Sequence, residues 1–407
     1  YLTTGQIPLA DTLYQAYHPP LYTLLGAPWM AIGGDKAVQF MSMLMSIATL
    51  VLLYRYVAYD PQFKDRRYLP VVLLLAACIP ALLTFGGIIS NDSLSFLLGV
   101  SIYLQSLATI RVTNWRNTLV LATVLGLGLL TKGSFLAFIP VVGLTVLASW
   151  WRRHQRPGIV LKVALAFAAI TMAVGGYKYL QNYRYFGNPL LHNQDIFGRW
   201  HIVQGPVWNG WRNSLSFNVW RLREQPLMDE SLDHYDADTM LPIPLLFYAT
   251  FWHPVQWESS LWAVGHWRAQ NLPQLLFLSG TSVFALAALG FALSVWQLLS
   301  QPRLRTLCSA AGDQLLEVWL AVGLTVMCLI LVVTAGLKYD LYSCFHSRLM
   351  LPTLPAFLFF FYRGISCLKA LHPRLPGLAA AVCLIPILLA IARFGYEFND
   401  IIRQLDL

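Results

Sequence analysis

The sequence predicts an all-helical protein that crosses a membrane many times, and three observations lead to this fold class. Of its 407 residues, 57% are hydrophobic and only 12% are charged, whereas soluble domains average about 25% charged residues. Several apolar runs reach about 20 residues, the length that crosses the hydrocarbon core of a bilayer. Loops rich in Lys and Arg separate alternate runs, as cytoplasmic loops of membrane proteins do.

Hydropathy predicts ten membrane-spanning helices. Their expected ranges are 37–57, 68–88, 92–109, 117–131, 134–150, 159–177, 273–299, 314–336, 348–363 and 377–394. The basic loops between them all fall on one side, which the positive-inside rule makes cytoplasmic. These loops account for the formal net charge of +9, which therefore does not indicate a nucleic-acid partner.

The remaining segments are expected on the outer side of a plasma membrane. The chain then divides into an outer loop with a membrane-surface helix, helices one to six, a long outer loop, helices seven to ten and an outer tail, at residues 1–36, 37–177, 178–272, 273–394 and 395–407. The long loop contains eight of the fourteen tryptophans. Because such residues favour the water–headgroup boundary, it is predicted to form a cap on the outer face.

The first outer loop contains the motif "YHPPLYTLL", residues 17–25. Pro19 and Pro20 can begin a helix, since the first turn of a helix needs no amide hydrogens from its own residues. The apolar run after them ends at "GGDK", which favours a helix lying on the membrane surface. His18 and Tyr22 are candidate pocket residues, although His18 can equally be a helix cap.

Two further outer turns carry candidate residues. In "GGIISNDSLSFLLG", Asn91 or Asp92 caps the next helix or takes part in function. In "LGLGLLTKGSFLAFIP", Lys132 lies at the outer leaflet, where an ammonium suits a phosphate. Its alternative role is a side chain that snorkels to the membrane surface.

The last outer motif is "FHSRLMLPTLPAF", with Arg348 at the start of a span and His346 beside it. An arginine at this depth can bind a lipid phosphate through two hydrogen bonds. A general anchor at the membrane interface is the alternative role. His346 is a candidate for the same pocket.

The sequence predicts no certain cofactor. Asp236 and Asp238 in "DHYDADTM" are weak candidates for binding a divalent cation, and a solvated acidic loop is the simpler explanation. The six scattered cysteines have no metal-ligand spacing and are expected to pack in the core. Nucleotide-binding and serine-hydrolase motifs are not found.

Taken together, five motifs resemble glycosyltransferases of the GT-C fold, above all bacterial protein O-mannosyltransferases and aminoarabinose transferases. They are "HPPLYTLL", "SNDSLSFLLG", "GLGLLTKGSFLAFIP", "YFGNPL" and "SRLMLPTLPAF", in the order that these families show. The resemblance implies a GT-C-like bundle of about ten visible transmembrane helices. It also implies an enzyme of the bacterial inner membrane whose active site faces the periplasm or exterior.

The resemblance implies roles for the candidate residues. Lys132 and Arg348 would bind the phosphate of a polyprenyl-phosphate sugar, and His18, Tyr22, Asn91 and His346 would line the donor and acceptor pocket. These families usually carry an acidic residue, often an Asp-Glu pair, upstream of the HPP-like motif. The resemblance makes Asp92 and Asp11 the candidate catalytic carboxylates. Asp11 is the only carboxylate before His18 and lies closer to the motif than the family pattern places the base, so we expect the main base and a first span to lie upstream of Tyr1.

The function predicted from the resemblance is transfer of a sugar, mannose-like or another hexose or pentose, to a protein, lipid or glycan. A transporter or flippase for a lipid-linked substrate is the alternative from another class. It would need polar groups near the bilayer midplane, and the predicted span interiors contain almost none. A catalytically inactive binding relative is the third hypothesis.

Overall fold

A computed structural model of the chain describes residues 7–12, 16–191, 195–196, 216–223, 243–252, 272–300, 311–339 and 346–404. Within these ranges the regular structure is helical and contains no strand. Eight of the described helices are long and apolar enough to cross a membrane. The predicted class, an all-α polytopic membrane protein, is confirmed.

The α-helices are numbered in chain order over the described residues. They are α1 (Leu21–Tyr59), α2 (Leu69–Cys78), α3 (Pro80–Gly86), α4 (Asn91–Arg111), α5 (Trp115–Leu129), α6 (Phe138–His154), α7 (Pro157–Gly175), α8 (Tyr177–Phe186), α9 (Ile243–Trp252), α10 (Leu272–Ser300), α11 (Ala311–Tyr339), α12 (Leu354–Cys367) and α13 (Leu375–Gln404). Short 3₁₀ turns are Arg66–Tyr68, Gly133–Ala137, Val219–Arg223, Ser347–Leu349, Leu351–Thr353 and Leu368–Ala370.

Two of the ten predicted spans differ from a simple membrane-crossing helix. The span predicted at 68–88 is a pair of helices bent by 42°, because Ile79 is extended and Pro80 begins the second helix. The span predicted at 117–131 is α5, whose 15 residues extend about 22 Å and fall short of a bilayer core of about 30 Å. Helix α5 therefore crosses less of the membrane than hydropathy indicates.

Helix α1 begins directly after the two prolines, with Pro20 as its N-cap residue. His18 is therefore not the cap. The helix is broken at Gly33 and Gly34, and Gly34 has a φ of 62°, a conformation that glycine adopts without the steric cost that other residues carry. The break separates residues 21–32 from the long helix that follows, at the "GGDK" where the sequence predicts the surface helix to end.

The loops predicted on one side of the membrane contact one another in the structure. At one end of the bundle, which we call the inner end, Arg111 bonds with Asp60 and Glu317. At the opposite, outer end Asp92 lies beside Lys132 and Arg348. This grouping agrees with the alternation of loops in the sequence, and which end faces the cytoplasm stays a prediction.

Helix α9 lies inside the segment predicted to be a long outer loop. Its sequence is "IPLLFYATFW", and seven of its ten residues are buried. It packs against α3, α10 and the Ser347–Leu349 turn. A run of ten apolar residues is too short to predict a span, so hydropathy gave no sign that this segment joins the bundle.

Candidate functional site

Asp92 is held at the start of α4 by a cap that the sequence analysis did not identify. The N-cap residue is Ser90, whose hydroxyl accepts a hydrogen bond from the Asp92 amide at 3.1 Å and donates to Asp92 Oδ2 at 2.9 Å. Neither Asn91 nor Asp92 is the cap, so the predicted capping role is wrong. Asp92 is 2% exposed, and a buried carboxylate needs a partner of opposite charge.

Lys132 supplies that partner. It follows α5 in a tight turn, in which its amide donates to the Gly128 carbonyl at 3.0 Å. Its Nζ lies 2.5 Å from Asp92 Oδ1, and only 12% of the Lys132 side chain is exposed. Burial lowers the pKa of the Lys132 ammonium, while the Asp92 carboxylate acts in the opposite direction. Lys132 is therefore an inward-facing partner of Asp92 and does not snorkel to the surface.

Arg348 is the second cation near Asp92, and it makes fewer hydrogen bonds through its side chain than Lys132 does. Its Nη1 lies 3.7 Å from Asp92 Oδ2, beyond hydrogen-bond distance, and 30% of its side chain is exposed. Its Cζ lies 5.2 Å from the centre of the Phe85 ring, which fits a cation–π contact. The buried Nε has no hydrogen-bond partner among the residues that the structure describes. Arg348 thus has donors left for a further anion.

Close packing of α4 brings the Arg348 segment to Asp92. A Cβ added at Gly99 would lie 2.5 Å from the carbonyl oxygen of Pro352, closer than any side chain can approach. Glycine at this position therefore lets the "SRLMLPTLP" segment lie directly on α4, about two helical turns beyond Asp92 on the same face. The proximity of Asp92 and Arg348 depends on this contact.

His346 and Tyr22 contact the turns that carry Arg348 and Asp92. His346 is buried, its Nδ1 accepts from the Arg348 amide at 3.3 Å, and its ring is 5.3 Å from that of Phe85 in an edge-on arrangement. The Tyr22 hydroxyl bonds with Ser42 at 2.6 Å and with the backbone of Ser90. The structure therefore joins two predicted pocket residues to the turns that carry Arg348 and Asp92.

Two other predicted pocket residues have a less direct relation to the charged group. Asn91 is the first residue of α4, and its carbonyl accepts from Ser95 at 2.8 Å. His18 is half-buried and its ring lies 3.9 Å from that of Tyr17. Their position in a pocket stays a prediction.

Asp11 lies near Lys178 of α8 and not beside Asp92, Lys132 and Arg348. It is exposed, and its charge acts on Lys178 of α8. Lys178 Nζ donates to the Pro8 carbonyl at 3.1 Å and to Gln181 at 2.7 Å. Burial lowers the pKa of Lys178 to about 8, with Asp11 opposing the change. The Lys178 hydrogen bond to Pro8 thus attaches the 7–12 segment to α8. The catalytic role predicted for Asp11 stays a prediction.

The weak metal candidates Asp236 and Asp238 lie outside the described residues. Within the described ranges, no group of three or more His, Cys, Asp or Glu side chains is placed to hold a metal ion.

The outer cluster consists of Asp92, Lys132 and Arg348, with Ser90 as cap. One carboxylate and two cations leave a formal surplus of one positive charge. A partly exposed surplus cation can bind an anion, and guanidinium and ammonium groups are the usual partners of phosphate. A general base needs a free oxygen facing the proton that it removes, and both Asp92 oxygens already face donors.

The comparison with protein families falls on the region that carries most of this cluster. Residues 17–175 match the family model of dolichyl-phosphate-mannose-protein mannosyltransferases. The match confirms the resemblance that the motifs indicate, over 159 of the 407 residues. Neither the curated proteins nor the solved structures contained a match.

The mannosyltransferase match includes Asp92 and Lys132 but not Arg348. Together with the apolar helices, it supports a multi-pass membrane glycosyltransferase of the mannosyltransferase type. Sequence reasoning identified all three charged residues of the outer cluster. It missed Ser90 and Phe85, because a serine cap and an aromatic ring under an arginine have no distinctive spacing in the sequence.

Proposed function

We propose that the chain transfers a sugar from a polyprenyl-phosphate carrier to an acceptor at the outer end of the bundle. The observation that carries this proposal is the outer cluster, in which Arg348 is 30% exposed, approaches Asp92 only to 3.7 Å and lies beside a buried ion pair. Its buried Nε has no partner in the described part of the chain. The mannosyltransferase match over residues 17–175 makes a mannose-like sugar the first choice. The acceptor is a protein, lipid or glycan.

In this proposal Arg348 binds the carrier phosphate and Lys132 adds positive charge behind it. When the bond between the sugar and the phosphate breaks, negative charge grows on the phosphate oxygens. Cations fixed in a buried site stabilise that charge without reorganising. The Phe85 ring under the guanidinium keeps the face of Arg348 in place.

Asp92 then acts as the resident counter-ion of the two cations. Its two oxygens hold Lys132 and the Ser90 hydroxyl and face Arg348. This arrangement orients both cations in the absence of substrate, which preorganises the site. Asp92 is thus part of the transfer machinery, with a role in positioning charge.

We also place the outer end at the periplasmic or exterior face of a bacterial inner membrane. The support is the excess of Lys and Arg in the loops of the opposite end, such as 152–156 and 363–374. Charged groups that bind a lipid-linked donor then lie level with its headgroup, in the outer leaflet.

The test uses membranes that contain the chain, with radiolabelled polyprenyl-phosphate mannose and other carrier-linked sugars as donors. Label is followed into lipid, protein and glycan fractions. Arg348→Ala and Lys132→Ala are each expected to lower transfer at least about 100-fold, the usual loss when one donor to developing charge is removed. For Arg348→Ala, the expression level and the unfolding temperature should change little.

The matched control is Arg363→Ala, which removes a half-buried arginine from the inner end of α12, where it donates to Gln297 at 2.6 Å. Transfer by this variant should stay within about twofold of the unaltered chain, since its contact lies at the end of the bundle away from the outer cluster. Unchanged transfer in both outer variants would contradict the donor site. Carrier movement across the bilayer without any transfer would favour a flippase.

A further inference from the structure

Helix α9 contacts the turn that carries Arg348. The Thr250 hydroxyl accepts a hydrogen bond from the Ser347 amide at 3.0 Å, and both residues are almost fully buried. The same hydroxyl donates to the Phe247 carbonyl at 3.2 Å. Thr250 therefore connects two segments that are 97 residues apart in sequence.

This contact completes the hydrogen bonding at the start of the Ser347–Leu349 turn. The first amides of a helical turn have no partner within the turn. Here the amide of Arg348 donates to His346 Nδ1 and that of Leu349 donates to the His346 carbonyl. The Ser347 amide donates to Thr250, so the backbone on both sides of Arg348 is fixed.

Helix α9 is itself anchored to the bundle. Arg393 of α13, fully buried, donates through Nη1 to the Trp252 carbonyl at the end of α9 at 2.8 Å. A cation at that end also complements the helix dipole. The Tyr248 hydroxyl donates to the Phe277 carbonyl of α10, and the Phe251 ring packs against Phe284 and Phe357.

We propose that Thr250 is a positioning residue for Arg348 in the transfer reaction, acting through the Ser347 amide from a helix that Arg393 fixes in place. This inference rests on the proposed function of Arg348 as the ligand of the carrier phosphate. Thr250 does not touch the outer cluster itself. It holds the Ser347–Leu349 turn in the position from which the Arg348 guanidinium lies over the Phe85 ring and points toward Asp92.

The test compares Thr250→Val with Thr250→Ser in the transfer assay. Valine keeps the shape but leaves the buried Ser347 amide without an acceptor, and we expect the KM for the carrier-linked sugar to rise about tenfold. Because the same guanidinium is proposed to stabilise the charge that grows on the phosphate, kcat should fall as well. The KM for the acceptor should change less than about twofold. Serine restores the acceptor oxygen and should return the carrier KM to within about twofold of the original value.

The matched control is Thr145→Val in α6. Thr145 is as fully buried as Thr250, and its hydroxyl donates only to the Val141 carbonyl of its own helix at 2.8 Å. This variant should leave the carrier KM unchanged. A rise in carrier KM for Thr145→Val equal to that for Thr250→Val would show a general effect of losing a buried hydroxyl and would overturn the proposal.

A double variant distinguishes this inference from the proposed function. In Arg348→Ala, adding Thr250→Val should cause no further loss of carrier affinity, measured as protection against heat unfolding by polyprenyl phosphate. Full additivity would overturn the positioning role. If Arg348→Ala is impaired and Thr250→Val is normal, the positioning role fails and the donor site stands. If the unaltered chain neither binds polyprenyl phosphate nor transfers sugar, the proposed function fails first.

Discussion

The outer cluster and its counterpart at the inner end both combine carboxylates with cations, but their net charges have opposite signs. We call Asp60, Gln62, Arg111 and Glu317 the inner cluster. It has two carboxylates for one arginine, whereas the outer cluster has one carboxylate for two cations. The arginine side chains are exposed to the same extent, 31% for Arg111 and 30% for Arg348. Exposure therefore does not distinguish the two sites.

The distinction lies in which donors are used. Arg111 donates to Asp60 through Nη1 at 2.8 Å and Nη2 at 3.0 Å, and to Glu317 through Nε at 2.5 Å. The second Glu317 oxygen accepts from Gln62 at 2.8 Å. Arg348, in contrast, approaches Asp92 only to 3.7 Å and has an unpartnered Nε within the described part of the chain. A saturated cluster serves the fold, and an unsaturated one has capacity for a ligand.

The largest expected effect is a difference in the free energy of unfolding between Arg111→Ala and Arg348→Ala. Arg111→Ala leaves two buried carboxylates without a cation and should lower the free energy of unfolding by about 3–5 kcal/mol. Arg348→Ala leaves the Asp92–Lys132 pair intact and should lower it by less than about 1 kcal/mol. Denaturant unfolding in detergent measures both. Equal losses would contradict the division into a structural and a ligand-binding cluster.

The second expected effect concerns Asp92→Asn. Two cations would then face each other with no carboxylate between them, and the free energy of unfolding should fall by about 2–3 kcal/mol. The same change raises the surplus positive charge, so polyprenyl phosphate should restore more stability to this variant than to the original chain. The heat-unfolding temperature with and without the phosphate measures both. Asp60→Asn at the inner end is the control, and a phosphate response there would break the contrast.

The third expected effect uses pH and a buried cation outside both clusters. Burial lowers the pKa of Lys178 from 10.5 to about 8. Between these values the unfolded chain holds a proton that the folded chain has lost. Folding stability should therefore rise with pH from about 8 to about 10.5, by at most about 1.4 kcal/mol per pH unit.

Lys178→Met removes the titrating group, and its stability should not show this rise. The measurement is denaturant unfolding over a pH series in the two proteins. An identical rise in both would assign the effect to other groups, including Lys132 in the outer cluster.

The smallest expected effect is that of Gln62→Leu. This change removes one neutral donor to Glu317 and the acceptor of the Tyr56 hydroxyl, which lies 3.0 Å away. It should lower the free energy of unfolding by about 1 kcal/mol and leave sugar transfer unchanged. Reduced transfer at normal stability would show that the inner cluster also affects the reaction.

Much of the fold follows from the sequence because apolar runs of bilayer length leave few alternatives to a helix. Hydropathy located the helices, but it did not separate a bent pair at Pro80 from a straight span. It also did not show that "IPLLFYATFW" packs into the bundle as α9, since a run of ten residues has no membrane signature.

The charged members of the outer cluster were also predictable, because Asp92, Lys132 and Arg348 each stand at the outer edge of an apolar run. Their pairing was not. Lys132 reaches Asp92 from a turn that its amide closes on the Gly128 carbonyl. Arg348 reaches Asp92 because its segment packs closely on Gly99. The closeness of Asp11 to Lys178 of α8 was not predictable either, because the two residues are far apart in the sequence.

The order of the cluster residues in the sequence affects how their charges are paired during synthesis. The region matched by the mannosyltransferase model, residues 17–175, contains Asp92 with Lys132 and Asp60 with Arg111, two electrically neutral pairs. Glu317 and Arg348 are made later and add one negative charge at one end and one positive charge at the other. The first part can therefore enter the membrane without unpaired charge at either cluster, and the later part adds Arg348, the residue that we propose binds the anion.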